Sequence, residues 1–270
     1  MYSPFFISKR FVYILGIFYH SEAGGECFCS YGKMGDGAFY GYTLLCYLSA
    51  PEGSGEEGEG MQVQVWADFH CPYCYFGIER LRRAMEELQL EEATINVRSY
   101  LLNPNTEPGT DMRIVDYVVQ QYGSKIDNVR RQNALLERRG KELGLYMDLE
   151  RSRFGNMMDP HRLLQHMKTL GLESQFFDRA QRALFSEGEL LSDHEVLLKL
   201  GEELGVFREE VIQVLESDQY KEEVLADNQE ARSMDIDFVP YYIFPDGHAI
   251  SGERKYEEYL ASLKRAMDAK

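Results

Sequence analysis

Between residues 61 and 69 the chain reads M-Q-V-Q-V-W-A-D-F. Val63, Val65, Ala67 and Phe69 alternate with Gln62, Gln64, Trp66 and Asp68. A period of two predicts a β-strand with one apolar face. The period then changes. Phe76, Ile78, Leu81, Met85 and Leu88 recur at helical spacing, with Glu79, Arg80, Arg82, Arg83, Glu86 and Glu87 between them. That pattern predicts an amphipathic helix. Residues 93–102 form a second strand candidate, followed by the breaker N-P-N-T-E-P-G at 103–109.

A long helical section follows. Helices are predicted over 111–122 and 128–143, ending near Gly123 and Gly144. Asp159-Pro160 predicts an N-cap with proline in the first helical position, and Gly171 closes that helix. Another spans 174–186 and stops at Gly188. Ser192 with Glu195 forms a candidate capping box for a helix ending near Gly205. Helices over 208–215 and 218–233 complete the section, and strand signals are almost absent from 110 to 232. Strand character returns at 238–244. Pro245-Asp246-Gly247 then predicts a tight turn, 248–251 a return strand and 253–267 a closing helix. The pattern predicts an α/β domain in two pieces, 61–103 and 235–270, separated by a helical insert at 104–234. Such insertions are tolerated where the ends of a host loop lie close together.

Residues 1–60 have a different composition. They hold 11 of the 23 glycines and 3 of the 5 cysteines, but only 3 basic and 7 acidic residues. Lys9-Arg10, the apolar run 11–19 and Ala23-Gly24-Gly25 only faintly follow a signal-peptide pattern. The run is short and aromatic, and Glu22 falls in the cleavage region. Residues 51–60 read as a flexible acidic linker. The expectation is a glycine-rich extension, disordered or not native, with the domain starting at Met61.

Charge and composition narrow the function. The formal net charge is -16 and no basic stripe is present, which excludes a polyanion-binding surface and predicts no nucleic-acid partner. Hydrophobic content of 44% supports a core, and no apolar run reaches the ~20 residues of a bilayer-spanning helix. No membrane partner is expected. Cysteines are too few for a disulfide-stapled scaffold. Cys27-Phe28-Cys29 has a spacing unlike structural zinc sites, Cys46 stands alone, and no metal is expected.

The chemistry concentrates at Cys71-Pro72-Tyr73-Cys74. Two cysteines separated by two residues at a helix start can close a small disulfide loop. The first sits where free N–H groups and the helix dipole favour a thiolate. Pro72 presets the turn, and Cys74 lies deeper, placed to resolve a mixed disulfide. Strand, cysteine pair and amphipathic helix together make the thioredoxin-like arrangement. Val239-Pro240 precedes the third strand, where a cis proline would present backbone groups to an incoming peptide or thiol. Asp68 and His70 are candidate modulators of the cysteines. His161, with Arg162, reads as a structural capping residue, with lining of the cleft as the rival role.

From Met61 onward the chain resembles the DsbA-family thioredoxin-fold oxidoreductases, and among them the FrnE-like subgroup. The resemblance rests on the strand into Cys71-Pro72-Tyr73-Cys74-Tyr75-Phe76-Gly77. It also rests on Asp159-Pro160-His161-Arg162-Leu163-Leu164 and on Val239-Pro240 with Ile250-Ser251-Gly252. It implies catalytic Cys71, Cys74 and Pro240, with Pro72, Tyr73, Val239 and His161 meeting the substrate and a helical cap over the cleft. It further implies a thiol–disulfide oxidoreductase with no bound cofactor, exchanging with disulfide-containing proteins or small thiols. Glutathione or another dithiol would serve as redox partner, in a cytoplasmic monomer or homodimer. Tyr73 stands where the subgroup commonly has tryptophan or phenylalanine and where DsbA has histidine, so the strong oxidant behaviour of DsbA is not carried over. Kappa-class glutathione transferases and 2-hydroxychromene-2-carboxylate isomerases share the fold, but usually place serine at the position of Cys71. A chaperone or adaptor with a vestigial pair is the non-enzymatic alternative.

Overall fold

The alternating segment forms strand β1 (Gln62–Ala67) at the centre of a four-stranded sheet. The structure is a computed structural model that describes residues 60–269. On one side β1 pairs in parallel with β2 (Thr94–Ser99), from Gln62 opposite Thr94 to Ala67 opposite Ser99. On the other it pairs antiparallel with β5 (Tyr241–Ile243), and β6 (Ala249–Ser251) adds antiparallel to β5. The order is β2-β1-β5-β6. Helix α1 (Pro72–Glu87) supplies the crossover from β1 to β2 and packs against α9 (Tyr256–Asp268). The architecture is α/β, with a large helical insertion between β2 and β5.

That insertion carries α2 (Ile114–Tyr122), α3 (Ile126–Glu142), α4 (Met158–Thr169), α5 (Glu173–Arg182), α6 (His194–Glu203), α7 (Arg208–Leu215) and α8 (Lys221–Ser233). Helices α4, α5 and α8 return to pack against β2. This explains a departure from the alternating pattern. Trp66 and Asp68 point away from the Val63/Val65 face, yet both are buried, because the insertion covers their side of the sheet as well. The Trp66 indole N–H donates to the Asp227 carbonyl on α8 at 3.2 Å, and the Arg98 guanidinium lies over its ring.

Several local expectations are corrected. The segment at 111–122 opens with a two-residue strand, β3 (Met112–Arg113), paired with β4 (Arg153–Phe154), before α2 begins. Asp159-Pro160 is not the cap of α4. That helix starts two residues earlier, at Met158, with the Asn156 side chain accepting the Met158 N–H at 2.8 Å, while Asp159 pairs with Arg162 and His194. Asp193, not Ser192, caps α6 by accepting the Glu195 N–H. The 174–186 helix changes hydrogen-bonding register near its end. Ala183–Glu187 form a π-helical turn that terminates at the left-handed Gly188.

The extension at 1–60, with Cys27, Cys29 and Cys46, lies outside the described residues apart from Gly60. Among the described residues no helix is long and apolar enough to cross a membrane.

Candidate active site

β1 ends at Ala67, and the Cys71 N–H donates back to the Asp68 carbonyl at 3.1 Å, closing a turn. Cys71 is then the N-cap of α1, with extended dihedrals of φ -91° and ψ 106°, and Pro72 occupies the first helical turn. Its Sγ accepts the Cys74 N–H at 3.4 Å, so the sulfur itself satisfies one of the helix's free donors. The first turn of α1 carries no acidic side chain, and the helix N-terminus favours negative charge on the sulfur.

The Cys71 thiol also donates to the Val239 carbonyl at 3.6 Å. The Val239–Pro240 peptide bond is cis, and the Pro240 carbonyl accepts the Gly252 N–H at 2.8 Å. The cysteine pair and the Val239-Pro240 segment, 168 residues apart in sequence, therefore meet at the sulfur. Both thiols are free. Cys71 retains 6% of its surface and Cys74 none, while Tyr73 between them is 43% exposed and Phe238, just before Val239, is 71% exposed. Burial pushes the Cys74 thiol well up, and the neighbouring Cys71 adds to the shift.

Asp68 lies buried behind the motif. Its carboxylate accepts the His70 N–H at 2.7 Å and the Leu102 N–H at 3.0 Å. The His161 Nε2 stands 3.7 Å from one carboxylate oxygen and the His70 Nδ1 stands 4.0 Å from the other; both are electrostatic rather than hydrogen-bond distances. Burial alone would raise the Asp68 carboxyl. The imidazoles of His161 and His70 and the Leu102 N–H outweigh it, so its pKa falls below the ordinary carboxylate value. Burial lowers His70, and its ring stacks on Phe154 at 4.7 Å. His161 has no exposed surface. It packs against Phe69 at 4.8 Å and faces Asp68, so it belongs to this buried cluster rather than to the open wall of the cleft.

Two contributors from the insertion have no counterpart in the sequence reading. Gln181 on α5 donates through Nε2 to the carbonyls of Cys71 at 3.2 Å and Phe69 at 3.4 Å. Arg139 on α3 lies over the rings of Tyr73 and Phe76 and pairs with Glu253, which also pairs with Arg80. Gln181 did leave a signal. It occupies an apolar-face position between Phe177 and Phe185, four residues from each. Arg139 left none, since a charged residue on a charged helix is unremarked. Among the described residues no group of three or more His, Cys, Asp or Glu is placed to hold a metal.

This geometry agrees with the comparisons. The family model for the DSBA-like thioredoxin domain matches residues 62–264. The chain belongs to that family, and its α/β core is thioredoxin-like with a helical insertion. A solved "probable DsbA oxidoreductase" from Streptomyces coelicolor is similar at 26% identity, covering 78% of this chain and 91% of its own, with a TM-score of 0.73. A 2-hydroxychromene-2-carboxylate isomerase shares the fold at 16% identity, over 77% of this chain and 95% of its own, with a TM-score of 0.56. The cytosolic disulfide reductase DsbM of Pseudomonas aeruginosa does so at 17% identity, over 77% and 100%, with a TM-score of 0.54, and its complex with GSH also matches. No curated protein matches. Fold alone does not separate oxidoreductase from isomerase; the paired cysteines do. The chain is a DsbA-like thiol–disulfide oxidoreductase whose candidate redox centre is Cys71–Cys74.

Proposed function

We propose that the protein exchanges disulfides through Cys71, within the FrnE-like subgroup, using protein disulfides or small-thiol disulfides as substrates. The observation that carries this reading is the position of the Cys71 sulfur. It caps α1, keeps a small exposed surface and contacts the Val239 carbonyl. The Cys71 thiolate attacks one sulfur of a substrate disulfide, forming a mixed disulfide and expelling a substrate thiolate. The backbone at Val239-Pro240, beside the exposed Tyr73 and Phe238, holds the bound segment by strand-like pairing. Cys74 then loses its proton and attacks the Cys71 sulfur. The second substrate thiolate leaves and the Cys71–Cys74 disulfide forms. Two electrons pass to the substrate, and the two thiol protons end on its sulfurs. The reverse sequence inserts a disulfide.

Asp68 and His70 are the proposed modulators of the pair: burial and Cys71 hold the Cys74 thiol protonated, and the ionised Asp68 carboxylate adds to that shift. His70 and His161 set its charge state. The redox centre is assigned to 61–103 with 235–270, and the helical insert at 104–234 forms the cap. Glutathione is the proposed redox partner in a cytoplasmic setting, a reading supported by the fold shared with DsbM. Reduction of insulin disulfides by the wild-type protein, abolished in Cys71→Ser, is the expected result. Undiminished activity in a folded Cys71→Ser protein would sink the mechanism, and a wild-type protein that reduces no disulfide would favour the adaptor reading. Equilibration with a glutathione buffer then sets direction: a potential well above the cytosolic glutathione poise favours oxidation, and one near or below it favours reduction.

A further inference from the structure

Gln181 is wholly buried in the insertion, yet its side chain reaches into the loop that carries the nucleophile. Both groups it contacts, the Phe69 and Cys71 carbonyls, are acceptors. The amide must therefore present its nitrogen to them, and Oε1 is left buried without a hydrogen-bond partner. Keeping an unpaired acceptor in an apolar site is costly, and an apolar residue of similar shape would avoid it. The arrangement is explained if the two donated bonds matter more to the loop than the orphaned oxygen costs.

The position of the Cys71 carbonyl indicates what they do. That oxygen already accepts the first two helical bonds of α1, from Cys74 N at 3.1 Å and Tyr75 N at 3.4 Å. Gln181 is a third donor to the same atom and a second tie on the loop at Phe69. Together they hold Cys71 in the extended cap conformation that lets Sγ accept the Cys74 N–H. In the dithiol form this geometry rests on non-covalent contacts. Once Cys71 and Cys74 are joined, the S–S bond itself keeps residues 71 and 74 together.

We propose that Gln181 is a positioning residue that stabilises the reduced Cys71–Cys74 pair more than the oxidised one, so that the helical insertion sets the redox poise of the centre. This rests on the exchange reaction above. The measured reaction is Cys71-SH plus Cys74-SH plus one glutathione disulfide, giving the protein disulfide and two glutathione thiols. The two thiol protons end on the glutathiones.

The test compares wild type with Gln181→Met, which keeps length and apolar bulk but has no donor. Loss of the tie should raise the equilibrium constant for oxidation by roughly two- to tenfold, the range expected for a net hydrogen bond. The thermal midpoint of the reduced form should also fall more than that of the oxidised form. Equal losses of midpoint in the two forms, with an unchanged equilibrium constant, would make Gln181 merely structural and overturn the proposal, as would a shift toward the reduced form. A wild-type pair that never exchanges with glutathione overturns the exchange reading and this inference together. If Gln181→Met does not fold, the wild-type protein still decides. The Gln181 side-chain amide resonances should differ between reduced and oxidised protein, and identical resonances would refute the coupling.

Discussion

The α-carbon of Gly77 lies directly against the hydroxyl of Tyr242. A Cβ at Gly77 would overlap that oxygen, stand 2.9 Å from the Tyr259 hydroxyl and press on Pro240 at 3.2 Å. The two tyrosines are themselves joined, Tyr259 donating to Tyr242 at 3.2 Å, with the rings at 5.2 Å. One turn beyond Cys74, the helix that carries the cysteines thus sits flush on the strand that follows Pro240. Absence of a side chain at Gly77 leaves room for Tyr242, Tyr259 and Pro240 to pack this closely on α1.

Gly77→Ala should therefore destabilise the protein by about 1–3 kcal/mol, the usual cost of overpacking, although alanine is the better helix former. The same variant should slow disulfide exchange, because α1 must lift away from Val239. Urea denaturation and insulin reduction measure the two effects. An unchanged midpoint would mean that α1 shifts without resistance.

Cys74 should be a slow nucleophile near neutrality when tested alone. In Cys71→Ser, burial remains, and burial is the leading cause of its raised pKa. A raised value means that the neutral thiol predominates below it, so the thiolate fraction grows about tenfold per pH unit as pH climbs toward it. Alkylation by iodoacetamide should accelerate accordingly from pH 7 to above pH 9. A fast reaction at pH 7 that does not vary with pH would contradict the burial of this sulfur.

Acid should weaken the native state in two stages. His70 is depressed below its unfolded value of about 6.5, so below that pH the unfolded chain binds a proton that the folded chain resists. Stability falls as pH drops through that region. Asp68 is depressed below about 3.9; its contribution is complete above that pH and is lost as pH falls toward the folded value. His70→Phe, which can still stack on Phe154, should reduce the loss between pH 7 and 5 and shrink the lower stage without abolishing it, because His70 helps to lower Asp68 while His161 and the Leu102 N–H remain. Denaturant midpoints across this range provide the check, and an identical upper stage in the variant would disprove the assignment.

Asp227 should be the strongest single anchor of the insertion. It is buried and accepts from Ser99 N at 2.8 Å, Gln165 Nε2 at 2.7 Å and Arg98 Nε at 2.5 Å. Asp227→Ala leaves the Ser99 N–H and the Arg98 Nε–H without their acceptor and Arg98 without its buried partner, a loss of about 3–5 kcal/mol, while Gln165 keeps its bond to Ser99 Oγ. Asp227→Asn keeps the shape and should lose less. Equal midpoints for Asp227→Ala and wild type in chemical denaturation would remove this network from the account of stability.

The hydrophobic periods, the C-P-Y-C pair and the breaker residues by themselves determined the order of the main elements, an α/β core interrupted by a helical insertion, and the candidate redox pair Cys71–Cys74. Each is a local property, since a period of 2 or 3.6 and a cap at a helix start are written into neighbouring residues. Small elements such as β3 and β4, and the choice of Asp193 over Ser192 as a cap, were not legible, because neighbouring polar residues compete on nearly equal terms and packing breaks the tie. The surroundings of the cysteines were decided by tertiary structure alone. Asp68 reads as the polar face of a strand until α4 delivers His161 against it. Gln181 reads as a flaw in an apolar helix face until its amide reaches the Cys71 carbonyl 110 residues earlier. Such contacts join segments far apart in the chain, and their energies depend on burial, which no local pattern contains.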